Sequence, residues 1–329
     1  MGEFDLIERY FKRPTHKAAL GVGDDCALLV PTPGMQLAVS SDMLVEGRHF
    51  LSTVDPAHLG HKALAVNLSD LAAVGAEPLA FTLALSLPRV DEAWLAGFSS
   101  GLLRLADAHS CELVGGDTTQ GPLNICITVF GEVPPGDALL RQNAQVGDDI
   151  YISGTVGDAR LALEVFRGTQ QLDGAAFEQA RLRMEQPTPR VALGLALRAV
   201  ANAAIDVSDG LLGDLGHILK RSNVGAQIDT GWLQNSGSFG DARLPVGITP
   251  LLAELPWNKR LEFALSGGDD YELCFTAPVN QRELVHAAAW ETDTPVTRIG
   301  RITQELGLVV LDPQGQPITR RFASFDHFA

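Results

Sequence analysis

The sequence predicts two α/β domains, an α+β N-terminal domain over residues 1–140 and an α/β C-terminal domain over residues 141–329. Three observations carry this expectation. A chain of 329 residues exceeds one ordinary core. Runs of period two alternate along it with runs of helical period. The breaker Pro134-Pro135-Gly136, followed by a fresh alternation of strands and helices, places a boundary near Arg141.

In the first domain, Leu6 to Phe11 reads as a short helix, and Thr15 to Leu20 leads into the turn Gly21-Val22-Gly23-Asp24-Asp25 ahead of the apolar run Cys26 to Val30. Gln36 to Ser41 alternates as a strand, and Ser40-Ser41-Asp42 ends it with three oxygen-bearing side chains. Asp55-Pro56 starts a helix, Asp as cap and Pro at the first helical position, that runs to Val74. Ala80 to Leu87 sets large residues against small ones, a strand with one core face and one closely approached face. Asp91 caps a helix to His109, and Glu112 to Val114 is a short strand before Gly115-Gly116-Asp117-Thr118-Thr119. Leu123 to Val133 is the last strand of this domain.

In the second domain, the turn Gly147-Asp148-Asp149 feeds a strand at Ile150 to Ser153. Helices to Phe166 and Glu185, a Pro187/Pro189 break, helix Val191 to Val200, strand Ala203 to Asp206, helix Leu211 to Arg221 and strand Gly225 to Ile228 follow. Gly231 to Pro256, rich in Gly, Ser and Pro, reads as a surface loop or lid. Glu272 to Thr276 is a strand, Asn280 with Glu283 forms a capping box for a helix to Trp290, and strands Val296 to Ile302 and Leu308 to Leu311 close the chain.

A net charge of -15 opposes nucleic acid or an anionic membrane as direct partner, because both reward a basic surface. A phosphate ligand would therefore need a metal to bridge it. The four cysteines, at 26, 111, 126 and 274, lie far apart without a C-x-x-C, as buried thiols in a reducing compartment do. Apolar runs stop short of the roughly 20 residues that span a bilayer, and the N-terminus lacks a signal-peptide pattern, so a cytoplasmic protein is expected. His58 and His61 share a helix face but have no third ligand near them in the sequence, and an exposed face explains them.

The acids are the informative residues. Asp25, Asp42, Asp117, Asp206 and Asp209 all stand near strand ends or glycine turns, and Asn67 and Asp70 share one face of an otherwise apolar helix. A carboxylate there must be solvated, paired or metal-bound, although Asp70 can equally cap a break near Ser69. Hard divalent cations take oxygen ligands, and acids converging without a cation repel one another. Taken singly, each Gly-Asp-Asp doublet reads as a turn, so the set as a whole carries the expectation of a site for magnesium and phosphates. At Asp206-Val207-Ser208-Asp209-Gly210 a strand ends in an acid, and Ser208 with the first helical N–H groups can donate to an anion. Gly116 lets phosphate approach bare backbone, and Arg141 is either a phosphate clamp or an ordinary surface arginine. The G-x-x-x-x-G-K-[ST] loop, the protein-kinase set and G-x-G-x-x-G after a strand are all missing from the sequence.

Six segments in order, Gly21 to Ala27, Ser40 to Asp42, Lys62 to Ala73, Gly115 to Thr119, Ile205 to Leu211 and Ser266 to Leu273, together resemble the bacterial thiamine-monophosphate kinase family. That resemblance spans nearly the whole chain. It implies ATP-dependent phosphorylation of thiamine monophosphate to thiamine diphosphate, with ATP as co-substrate. It also implies the two-domain aminoimidazole-ribonucleotide synthetase-like architecture, in which N-terminal domains pair into a homodimer whose sheets form a barrel. The N-terminal domain would then bind metal and ATP and dimerise, and the C-terminal domain would complete the nucleotide and substrate site. By position, Asp25, Ser40, Ser41, Asp42, Asp70, Asp117, Asp206 and Asp209 would hold several Mg2+ ions. Gly116, Asp117, Arg141 and Ser208 would contact ATP, and His49, Asp269 and Phe325 the thiamine phosphate. Asp269 departs from the family's frequent Gly-Gly-Glu-Asp by one methylene. No general base is expected, since a phosphate-oxygen nucleophile is already ionised at neutral pH. Formylglycinamidine ribonucleotide cyclisation within the same superfamily is the runner-up, and a catalytically silent metal-nucleotide sensor is the alternative of another class. The selenophosphate and hydrogenase-maturation members would need reactive cysteines that Cys26 and the Ala329 terminus do not supply.

Overall fold

The structure is a computed structural model and describes residues 2–234, 247–320 and 322. The chain divides into two compact units, residues 1–71 with 76–136, and residues 137–329 with 72–75. Among the described residues no helix is long and apolar enough to cross a membrane.

The first unit comprises α1 (Glu3–Tyr10), β1 (Ala18–Leu20), β2 (Leu28–Leu29), β3 (Gln36–Val45), α2 (Pro56–Ala73), β4 (Glu77–Leu87), α3 (Glu92–Ala108), β5 (Glu112–Gln120) and β6 (Asn124–Val133). Its main sheet has the order β3-β6-β4-β5, and β1 and β2 pair separately. Asp91 caps α3 as expected, accepting from the N–H groups of Ala93 and Trp94. One face of the sheet buries Phe81, Leu83, Leu85, Ile125, Ile127 and Val129 together with the apolar α2. Gly60 and Gly101 let α2 and α3 touch backbone to backbone, since a Cβ on Gly101 would lie 1.8 Å from the Ala57 carbonyl oxygen. On the other face, Leu37, Val39 and Met43 of β3 are exposed.

Two strands run further than local pattern indicates. β3 continues through Ser40-Ser41-Asp42 to Val45, because it pairs with β6 without interruption from Gln36↔Val133 to Val45↔Asn124. β5 likewise continues through Gly115-Gly116-Asp117 to Gln120, held by parallel pairing with β4. Cross-strand hydrogen bonding overrides the turn character of Gly and Asp there.

The second unit comprises β7 (Asp149–Ser153), α4 (Asp158–Phe166), α5 (Gly174–Glu185), α6 (Val191–Ala196), β8 (Ala203–Val207), α7 (Leu211–Ser222), β9 (Gly225–Asp229), α8 (Pro250–Ala253), α9 (Trp257–Ser266), β10 (Glu272–Ala277), α10 (Arg282–Glu291), β11 (Val296–Thr303) and β12 (Gly307–Leu311), with 3-10 turns at Thr230–Gln234 and Val279–Gln281. The sheet order is β12-β9-β11-β7-β10-β8, antiparallel except for β12 on β9. β7, β8 and β10 are buried on both faces, with Tyr151 stacked on Phe275 on one of them.

Two sequence expectations change here, and one helix appears that the sequence analysis did not place. The stretch from 231 to 256 holds the end of a 3-10 turn and the helix α8, capped by Thr249; residues 235–246 of the expected lid lie outside the described residues. α9 follows directly, and its buried Leu261, Ala264 and Leu265, at i, i+3 and i+4, are the signal that marks it. Asn280 sits inside a 3-10 turn, so α10 starts at Arg282 without a side-chain cap and the expected capping box is absent.

Candidate active site

The first unit gathers oxygen donors on the helix-facing side of β3. Strand alternation puts Ser40 and Asp42 on that face, two residues and roughly 7 Å apart. α2 runs past them and presents Asn67 and Asp70. Ser40 Oγ donates to Asp70 Oδ2 at 2.5 Å. The Asp42 N–H donates to Asn67 Oδ1 at 3.1 Å, and Asn67 Nδ2 is anchored on the Ala63 carbonyl. Thus Asp70 does not cap a break in the helix; α2 continues past it to Ala73. Ser41 stands apart from this pair. Its hydroxyl points to the opposite face, where it bonds Thr128 Oγ1 and the Ile127 carbonyl, so alternation removes it from the Ser40/Asp42 set.

His49 follows β3 and is fixed by the Val45 N–H, which donates to Nδ1 at 2.9 Å. A neutral His49 therefore carries its proton on Nε2. Lys62, buried on α2, donates through Nζ to the His49 carbonyl. The sequence reading assigned no role to Lys62, although a lysine in so apolar a helix is itself a signal.

Gly116 and Asp117 stand elsewhere. Asp42 pairs with Ile127, Ile127 with Leu83, and Leu83 with Gly116, so these four residues form one row across the sheet with Asp42 and Gly116 at opposite edges. Three strand spacings separate the edges by roughly 14 Å. Gly116 has φ +148°, and a Cβ there would lie 1.9 Å from the Leu83 carbonyl oxygen, so no other residue fits. Asp117 is exposed on that edge strand. Asp25 is exposed on the loop joining β1 to β2. That small sheet is tied to β5 by Glu112, whose carboxylate accepts from the N–H groups of His16, Lys17 and Ala18. Asp24 accepts from the Asp25 N–H and acts as a turn residue.

In the second unit, Asp206 is buried at the end of β8, and Ser208, Asp209 and Gly210 lead into α7. The loop of residues 268–271 packs on this turn: the Asp269 N–H donates to the Ser208 carbonyl and the Tyr271 N–H to the Val207 carbonyl, both at 2.8 Å. Asp269 and Tyr271 both hold positive φ, +69° and +50°, a strained backbone for side-chain-bearing residues. This geometry sets Asp269 beside Ser208 and Asp209. Asp270 points inward instead and accepts from the Gly157 N–H; burial pushes its carboxyl well above the ordinary range.

The N–H groups of Ser208, Asp209 and Gly210, just ahead of α7, are taken by a carboxylate of the helix itself. Asp214, buried in the first turn, accepts from the N–H groups of Ser208, Asp209 and Gly210, each at 3.1 Å to Oδ2. Burial is the main cause raising its carboxyl, and with the nearby Asp209 charge it outweighs those three hydrogen bonds, leaving it at about 6. An acid in the first turn of a helix is the signal in the sequence that marks it. Arg141 is also displaced from Ser208. Its carbonyl accepts from Ser222 Oγ, at the far end of the 12-residue α7, roughly 18 Å along the helix. Phe325 lies outside the described residues.

Behind the 268–271 loop, Glu272 is fully buried. It accepts two hydrogen bonds from Arg190 at 2.6 Å, one from Arg183 at 2.8 Å and one from Ser153 Oγ at 2.6 Å. Burial alone would raise its carboxyl, and the two arginines with Ser153 more than offset this. Among the described residues, no three His, Cys, Asp or Glu side chains gather closely enough to hold a metal ion. Asp42, Asp70 and Ser40 are nevertheless an oxygen-only donor set of the kind that holds magnesium while phosphate and water complete its coordination.

The AIR synthase related protein N-terminal domain matches residues 23–133, and the corresponding C-terminal domain matches residues 145–312. Thiamine-monophosphate kinase of Escherichia coli (strain K12) is 46% identical over 332 residues, covering 100% of this chain and 98% of that protein. The Bacillus subtilis (strain 168) thiamine-monophosphate kinase is 31% identical over 343 residues, covering 100% of both. The crystal structure of thiamine-monophosphate kinase from Stenotrophomonas maltophilia K279a superposes with a TM-score of 0.83 at 46% identity, covering 96% of each chain. The structure of AaThiL complexed with AMPPCP and TMP gives 0.74 at 28% identity, covering 91% of this chain and 89% of that one. A hydrogenase maturation protein HypE in complex with ATP, at 21% identity and a TM-score of 0.75 over 98% and 95% of the two chains, shares the fold. By family matches in both halves and full-length identity to its relatives, the chain belongs to the AIR synthase related proteins and, among them, to the thiamine-monophosphate kinase family.

Proposed function

We propose that the chain transfers the γ-phosphoryl group of ATP to thiamine monophosphate, giving ADP and thiamine diphosphate, as a cytoplasmic magnesium-dependent enzyme. The observation that carries this reading is the oxygen-only set on β3 and α2, Ser40, Asp42 and Asp70, in a chain 46% identical over its full length to a thiamine-monophosphate kinase. The bond from the γ-phosphorus to the β,γ-bridging oxygen breaks, and a bond from that phosphorus to a phosphate oxygen of thiamine monophosphate forms. The attacking oxygen is already ionised, which is why the site needs no histidine or carboxylate as base.

The residues do positional and electrostatic work. Ser40, Asp42 and Asp70 in the first unit, and Asp206 and Asp209 in the second, would hold magnesium, which when bound neutralises the repulsion between the two polyanions. Asp25 and Asp117 supply further carboxylates on exposed backbone. Gly116 offers bare backbone to a phosphate, and Ser208 a hydroxyl. Asp269, pinned through the Ser208 carbonyl, and His49, with Nε2–H as donor, fit the thiamine phosphate. We assign the exposed face of β3, with Leu37, Val39 and Met43, to a homodimer contact.

A substrate panel with ATP and magnesium tests the reading. Thiamine monophosphate should be phosphorylated and formylglycinamidine ribonucleotide left unchanged; the reverse result, or nucleotide binding without turnover, overturns it. Asp209→Asn should lower kcat by at least about 100-fold with the fold intact, and a wild-type rate in that variant removes Asp209 from the ligand set.

A further inference from the structure

The start of α7 has the form of an anion-binding nest: three consecutive N–H groups, of Ser208, Asp209 and Gly210, converge on one point, with Gly210 at φ +121°. In this chain the point is already taken by Oδ2 of Asp214. The same peptide is held from its other side, since the Ser208 carbonyl accepts from the Asp269 N–H. Ser208 is therefore clamped between Asp214 and the loop that carries Asp269. Gly210 and Gly268 keep the clamp tight: a Cβ on Gly268 would lie 2.4 Å from the Ser208 carbonyl oxygen, and one on Gly210 3.0 Å from Ser266 backbone.

We infer that Asp214 is a positioning residue that cancels the positive end of α7 and fixes the 208–210 turn, so that Asp206 and Asp209 face a cation rather than a bare phosphate. Without Asp214, the three N–H groups would be open to an anion beside Asp209, one of the proposed cation ligands. The carboxylate adds its own charge beside Asp209, which strengthens cation binding further. None of the segments that carry the family resemblance assigns Asp214 a role. The inference deepens the kinase reading and rests on it for Asp206 and Asp209 as cation ligands and for its activity readout.

The test uses the full chain with Asp214→Asn, Asp214→Ala and, as reference, Asp209→Asn. Mn2+ alone is titrated by electron paramagnetic resonance without nucleotide, and the magnesium concentration for half-maximal turnover is measured separately. Asp214→Asn keeps an oxygen that can accept the N–H groups, so its melting temperature should not fall below that of wild type, while it loses about tenfold in Mn2+ affinity at the site that Asp209→Asn abolishes. Its magnesium requirement should rise by a similar factor, with the KM for thiamine monophosphate unchanged. A residue that only caps the helix predicts the opposite pattern, a lowered melting temperature with wild-type Mn2+ affinity, and that result overturns the inference. Should neither variant fold, Asp214→Glu, which keeps the charge but displaces it by one methylene, must show the raised magnesium requirement; a wild-type requirement overturns the inference. The two readings fail separately. If the wild-type chain does not phosphorylate thiamine monophosphate but its Mn2+ affinity depends on Asp214, the function falls and the positioning role stands.

Discussion

Replacing Glu272 by Gln should unfold the second unit at markedly lower temperature. Glu272 has no exposed surface, and its two oxygens carry the guanidinium groups of Arg190 and Arg183 together with Ser153 Oγ. Glutamine matches the shape but keeps one acceptor oxygen, and its amide group donates toward cations that cannot accept. Two largely buried arginines then lose the charge that compensates them, a loss on the order of 3–5 kcal/mol. For a unit of this size each kcal/mol moves the melting temperature by roughly 2–4 °C, so a fall of about 10 °C is expected. Differential scanning calorimetry of wild type and variant measures it directly. Because Glu272 opens β10 immediately after the 268–271 loop, the same variant should also raise the KM for thiamine monophosphate. A melting temperature within about 2 °C of wild type would refute the account of this cluster as an indispensable ionic core.

Three further outcomes follow from the same geometry. Gly116→Ala places a methyl group against the Leu83 carbonyl oxygen at an unfavourable φ, and should cost at least about 3 kcal/mol in urea unfolding; an unchanged midpoint removes the steric argument. Asp214 binds its proton more tightly folded, at about 6, than unfolded, near 3.8. Its contribution is therefore fully present below pH 3.8 and is lost as pH rises through 6, a difference of up to about 3 kcal/mol. Urea unfolding in the presence of a chelator, compared between wild type and Asp214→Asn from pH 4 to pH 7, should show wild type losing ground as pH rises, and parallel curves would contradict the shift. Val39→Glu puts a charge on the exposed face of β3 and should convert the expected dimer to monomer in light scattering coupled to size exclusion, with the far-ultraviolet circular dichroism unchanged; a dimer of wild-type affinity rules that face out.

The sequence by itself determined the chemistry available to this protein. Its acids near glycine turns point to oxygen ligands for a cation and phosphates, and of the residues so picked out the structure sets Ser40, Asp42 and Asp70 close together. Most elements were also legible, because caps such as Asp91 and the alternation in Ala80 to Leu87 are local signals. What only the tertiary structure decided is which of those oxygens share a place. Strand pairing turned Ser40-Ser41-Asp42 from a strand end into mid-strand, and pleating then sent Ser41 to the other face. The row from Asp42 to Gly116 put Asp117 across the sheet, and the length of α7 parted Arg141 from Ser208. Asp214 took the N–H groups of Ser208, Asp209 and Gly210, and Glu272, unremarkable in a strand, became the anchor of two arginines. Each of these depends on partners distant in sequence, and a local pattern states what a residue can bond but not which partner the fold will bring to it.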